Sequence, residues 1–153
     1  MSGCCAPEVI SLCESKEVLL SAPVTIPEGT TGGDVFDDDP LLINLHGPTR
    51  WCLQVNFSGE VQNATAGTQT DTAPFLVTIT ARYAWSGNVA ATHTVEAQLL
   101  SRGLGGNSYV HVSPLMVADV EPARYAVNVN VQCTSEDTQV AGRLNVSAVK
   151  RTL

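Results

Sequence analysis

The chain has 153 residues, 44% hydrophobic and 15% charged, with a formal net charge of -7; that is one domain's length, with enough apolar side chains for a core that needs no staples. No apolar run approaches the roughly 18 to 20 residues a membrane-spanning helix requires, and the opening Met1-Ser2-Gly3-Cys4-Cys5 lacks the basic-then-apolar order of a secretory signal, so the expectation is a complete polypeptide made in the cytoplasm. The acidic excess is local: residues 1–40 hold eight Asp and Glu against Lys16 alone, while residues 41–153 hold seven of each sign, and without a basic cluster nothing neutralises nucleic-acid phosphates, which excludes genome packaging.

Residues 1–16 carry Cys4, Cys5, Cys13 and one proline without a sustained pattern, and read as an N-terminal arm ahead of a single domain at 17–153. Residues 17–26 alternate Val18, Leu20, Ala22, Val24 and Ile26 against Leu19, Ser21, Pro23 and Thr25. That is a strand, and Pro23, which has no N–H to donate, places it at a sheet edge. Glycines and acids make 27–40 a loop. Further strands are expected at 41–45, 50–57, 74–85, 91–100, 109–118, 124–133 and 140–149, with loops between them, the longest covering 58–72.

The period of two separates the faces of each strand. Phe75, Val77, Ile79, Ala81, Tyr83 and Trp85 share one side of theirs; Trp51, Leu53, Val55 and Phe57 do the same, which turns Cys52 away from the core. Tyr125, Val127, Val129, Val131 and Cys133 point inward against an amide-rich outward row of Asn128, Asn130 and Gln132. Eight such strands with no competing helix predict an all-β antiparallel sandwich of two sheets, a jelly roll, with an immunoglobulin-like wrap as the alternative. The closing strand, near the C-terminus, is expected inside its sheet.

No motif for catalysis, nucleotide or metal stands out, and the expectation is a protein without enzymatic activity or cofactor. Adjacent Cys4-Cys5 lacks the two-residue gap of paired zinc ligands, and no histidine completes a set. The cysteines are then reduced thiols, or they form disulfides between subunits, for which Cys4, Cys5 and Cys13 on an arm and Cys52 facing outward are the candidates. Asp34 and Asp37-Asp38-Asp39 could gather around calcium but lack an alternating ligand order; a solvated loop is the plainer reading. His46, His93 and His111 are scattered, and the glycine-rich 102–107 precedes a strand, whereas a phosphate cradle needs a helix after it.

The run Val-Glu-Pro-Ala-Arg-Tyr-Ala-Val-Asn-Val-Asn-Val at 120–131 and the closing Gly-Arg-Leu-Asn-Val-Ser-Ala-Val at 142–149 resemble the strands of tumour-necrosis-factor and C1q-type jelly-roll modules used in phage decorations and fibre heads. The likeness covers about half the chain. It implies homo-oligomerisation, as a trimer, and no catalytic residues. Cys4-Cys5 followed by Cys13 is also similar to the connector of bacterial endospore appendage subunits, in which an arm disulfide-links successive jelly rolls. The resulting expectation is a capsid decoration subunit on a virion surface, bound to a major capsid or other scaffold protein, with Leu19 and Val35 seated in a neighbour's groove and no nucleic-acid or membrane partner. A disulfide-linked extracellular appendage filament and a glycan- or receptor-binding fibre tip reading through 58–74 and 101–108 are the alternatives.

Overall fold

The computed structural model describes residues 13–20, 22–36, 40–63, 73–99 and 109–150. Among them are eleven strands and no helix: β1 (Cys13–Leu19), β2 (Val24–Ile26), β3 (Gly33–Asp34), β4 (Leu41–Asn44), β5 (Trp51–Asn63), β6 (Ala73–Tyr83), β7 (Val89–Leu99), β8 (Tyr109–Val112), β9 (Leu115–Val120), β10 (Arg124–Cys133) and β11 (Thr138–Lys150). All pair antiparallel, in two sheets.

The count of eleven reduces to eight, because three edges are interrupted. β1 and β2 lie in succession along one side of β11, with Leu19 opposite Arg143 and Val24 opposite Val140. β3 and β4 follow each other along β10, and β8 and β9 along β5. The first sheet then reads β1/β2, β11, β5, β8/β9, and the second β3/β4, β10, β6, β7. Apart from the β6–β7 hairpin, each step along the chain crosses from one sheet to the other. This is the double Greek-key wrap of a jelly roll, and β11 sits inside its sheet as the sequence predicts.

The breaks have local causes. Pro23 cannot donate to β11, so pairing lapses between β1 and β2, although the Leu20 amide still reaches the Gly142 carbonyl at 3.0 Å. Pro114 does the same between β8 and β9. Two outcomes correct the sequence reading. β1 begins at Cys13, so the last four of the sixteen residues read as arm are paired to β11. β5 runs on through 58–63, read as loop, because Gly59, Val61 and Asn63 continue its buried row while Ser58, Glu60 and Gln62 carry the polar one.

The two inner faces supply one core. Trp51, Leu53, Val55 and Phe57 of β5 meet Phe75, Val77 and Ile79 of β6, Tyr125, Val127, Val129 and Val131 of β10, and Leu144 and Val146 of β11, all essentially inaccessible to water. At about 25 cal/mol per Å2 of apolar surface removed from water, this packing is the main term holding the sheets together. The Trp51 indole N–H donates to the His46 carbonyl at 2.9 Å, so the largest core side chain leaves no polar atom stranded. Trp85 departs from the expected pattern: its strand ends at Tyr83, residues 84–86 turn, and the indole is 81% exposed against the Tyr83 ring.

Candidate assembly surface

The outer face of the first sheet is built from the residues that alternate with the core. Gln54 and Asn56 of β5 stand opposite Ser147 and Asn145 of β11 on one side and Val117 and Leu115 of β9 on the other. Most of this face is amide and hydroxyl, but the β9 edge carries Leu115 and Val117 exposed, and β8 adds an exposed Tyr109. The opposite edge ends in Leu19, 66% exposed. Lys16 crosses from this edge to the second sheet, donating to the Leu42 carbonyl at 2.8 Å. The ion pairs Arg50–Asp119 at 3.1 Å and Arg143–Glu17 at 3.7 Å are solvent-exposed and contribute little to stability.

The outer face of the second sheet is a grid of short polar side chains. Asn128, Thr80 and Thr92 line up in successive register across β10, β6 and β7, as do Asn130, Thr78 and Thr94. The hydroxyls of Thr78 and Thr94 are hydrogen-bonded at 2.9 Å. A shallow depression of about 200 Å3 lies among Asp34, Thr78, Thr80, Arg82, Asn128 and Asn130. Its acid is engaged: the Asn130 amide donates to the Asp34 carboxylate at 3.2 Å. Asn128 ties the neighbouring turn, accepting from the Phe36 amide at 3.0 Å and donating to its carbonyl at 3.1 Å.

The expected contact residues separate. Leu19 is exposed. Val35 is not, at 3% exposure: with Phe36 it enters the protein's own core, where the Phe36 ring meets the edge of Phe57 at 6.3 Å, and it cannot seat in a neighbour's groove. Cys52 faces out from β5 as its phase requires, yet it is fully buried and disulfide-bonded, so its sulfur is not available for stitching subunits together. Cys4 and Cys5 lie outside the described residues. Cys13 opens β1 opposite Val149. Cys133 is a free, buried thiol whose sulfur lies 3.7 Å from the Ser135 hydroxyl.

The acidic run 37–39 and the glycine-rich 102–107 lie outside the described residues. His46, His93 and His111 are exposed, and no group of three metal-binding side chains occurs among the described residues. No helix of the described residues is long and apolar enough to cross a membrane. Perturbed ionisation gathers in two places. The Tyr83 hydroxyl is raised, first by its hydrogen bond to Glu121, and burial lifts Tyr125 well above the ordinary tyrosine range. Glu136 is raised by burial and by the nearby Glu28 carboxylate, and one of its oxygens is buried without a partner. The first group joins two strand ends and the second lies in the β10–β11 turn, so each belongs to the frame. The apolar exposure at Tyr109, Leu115 and Val117 escapes the sequence reading, although Pro114 in their midst signals an edge.

No protein-family model matches the chain, and no curated protein is similar to it in sequence. Among solved structures it is similar to a chain of the infectious bursal disease virus Gx strain structure, at 13% identity and a TM-score of 0.47, over 89% of this chain and 32% of the viral one. It is also similar to dimeric latent PorU from Porphyromonas gingivalis, at 12% identity and 0.44, over 90% and 13%. Eiger TNF from S. frugiperda aligns at 9% identity and 0.35, over 92% of both chains. The chain thus spans about a third of the length of the viral chain it matches.

Proposed function

We propose that the chain is a non-enzymatic structural subunit of a virion surface, a decoration protein that assembles with copies of itself and with a shell or scaffold protein. The observation that carries this reading is where the apolar surface lies. Leu19, Val89, Tyr109, Leu115 and Val117 are all large, exposed and on edge strands, rather than gathered in a cleft. Apolar side chains at the rims of a rigid sandwich are suited to contact between subunits. The polar outer faces, dominated by amides and hydroxyls, suit packing that stays soluble before assembly. The trimer implied by the module resemblance is the oligomer this reading favours. Burial of Cys52 in a disulfide within the chain weighs against a filament joined through that residue.

Electron microscopy of the purified chain, alone and mixed with empty shells of a host virion, tests the reading. Ordered oligomers that coat shells are the expected result. A chain that remains monomeric and leaves the shells bare overturns it.

A further inference from the structure

The geometry points to β7 as the edge through which two copies of the chain pair, strand to strand, about a two-fold axis at Val95. This inference deepens the assembly reading by naming one of its contacts, and adds a two-fold contact to whatever rotational oligomer the rims form.

Three of the four sheet edges are interrupted: β1/β2 at residues 20–23, β3/β4 at 35–40 and β8/β9 at 113–114. Short, broken or proline-bearing edges are the usual devices against unwanted strand pairing. β7 has none of them. It runs for eleven residues, Val-Ala-Ala-Thr-His-Thr-Val-Glu-Ala-Gln-Leu, without proline, glycine or lysine and with a single acid. It pairs with β6 on one side, and no described strand pairs with the other. Its core-facing row is also under-covered. Ala91, Val95 and Ala97 stand opposite the fully buried Ala81, Val77 and Phe75, yet are only half-buried themselves, and His93 beside them is exposed.

The sequence of the strand is complementary to itself. The register irregularity at Ala81/Arg82 leaves 91–99 as the regular stretch, and Val95 is its midpoint. An axis perpendicular to the sheet keeps each side chain on its own face and brings Val95 opposite Val95, His93 opposite Ala97 and Ala91 opposite Leu99 on the inner row. On the outer row it brings Thr94 opposite Glu96 and Thr92 opposite Gln98, hydroxyls against a carboxylate and an amide. No like charges meet, and such an interface is isologous, as two-fold dimers require. A second copy therefore extends the strand ladder along this edge and covers the half-buried inner row in one step.

Sedimentation equilibrium of the full chain tests the pairing, with Thr94→Glu placing two acids against two Glu96 carboxylates in each dimer. Thr94→Glu should weaken the dimer by about tenfold or more, since like charges directly opposed are destabilising. The double variant Thr94→Glu with Glu96→Lys restores opposite charges across the axis and loses the same Thr78 hydrogen bond, so it should recover the dimer. Val95→Cys should cross-link on oxidation, because directly opposed antiparallel residues have Cα atoms about 4.5 to 5.5 Å apart, while Ala97→Cys, facing His93, should not. Assembly indifferent to Thr94→Glu, or cross-linking of Ala97→Cys as readily as Val95→Cys, overturns the β7 edge and leaves the assembly reading standing. A wild-type chain that neither self-associates nor binds shells overturns both.

Discussion

The Tyr125 hydroxyl donates to the backbone carbonyl of Glu121, 2.5 Å away and four residues upstream, and so closes the corner where β9 hands the chain to β10. The Tyr83 hydroxyl donates to the same residue's carboxylate at 2.7 Å, and the two tyrosine rings lie 5.3 Å apart. Corners of this kind, in which a tyrosine at a strand start bonds back to the backbone, recur in Greek-key sandwiches. Here the bond fixes the crossing between the sheets.

Tyr125→Phe should therefore cost about 1 to 3 kcal/mol, the range for leaving a buried hydrogen-bonding group unpaired, as measured by urea unfolding at neutral pH. The pH dependence follows from the raised pKa values of both hydroxyls. The folded state holds these protons more tightly than the unfolded chain does. Their contribution is complete below the ordinary tyrosine value of about 10 and is lost as pH rises through the higher folded values. Wild-type stability should fall above that point, and Tyr125→Phe should fall less steeply; parallel curves would show that the corner does not carry the effect.

Gly59 and Gly142 are directly opposed across β5 and β11, and the Phe57 ring fills the space their missing side chains leave. A Cβ at Gly142 would lie 2.5 Å from the Ser58 carbonyl oxygen and 2.6 Å from the Gly59 Cα, both backbone atoms that cannot step aside. Gly142→Ala should destabilise by ~1 to 3 kcal/mol, the usual cost of overpacking. Thermal unfolding checks it, with the exposed Gly87 avoided as a control because its positive φ adds a separate strain.

The eight-strand plan was legible because the central strands of the second sheet alternate without error, from Phe75 to Ala81 and from Tyr125 to Cys133. What stayed hidden depends on partners distant in sequence. Residues 58–63 look like loop because their outward row is polar and their inward row includes two small or polar residues, Gly59 and Asn63; pairing with β11 makes them strand. Val35 and Phe36 sit among acids and glycines, yet β10 draws them inward, the Val35 amide donating to the Val129 carbonyl at 2.7 Å. The phase of Cys52 was readable and its burial was not, since alternation says which face a side chain is on and not whether that face is covered. Of the candidate surface, Leu19 could be read from alternation, whereas the identity of β7 as the unbroken edge is a property of the sheet order alone.

The Cys52 disulfide should contribute to folding rather than to joining subunits. Reduction should lower stability by about 2 to 4 kcal/mol, in line with cross-links that restrict an unfolded chain, and Cys52→Ala should remove most of the reductant-sensitive increment. Urea unfolding with and without reductant reads both. Sedimentation on the same samples should show unchanged oligomer mass after reduction under conditions where the fold persists; dissociation there would assign the bond to assembly instead.

Glu136 offers the converse case of a charge the fold tolerates at a cost. Its carboxylate is half-buried in the β10–β11 turn, one oxygen lacks a partner, and Glu28 adds like charge nearby, while the adjacent Asp137 accepts the Glu28 amide at 2.8 Å. Burial first, and Glu28 second, raise its pKa, so the protonated form is favoured in the folded state. The stabilisation from holding that proton is present below the unfolded glutamate value of about 4.3 and disappears as pH climbs through the raised folded value. At neutral pH the ionised group is a liability. Glu136→Gln should raise the melting temperature at pH 7 and give a smaller gain at pH 4, where the wild-type carboxyl is already largely neutral. An equal gain at both values would trace the effect to amide hydrogen bonding, and a loss at pH 7 would mean that the carboxylate holds a favourable partner.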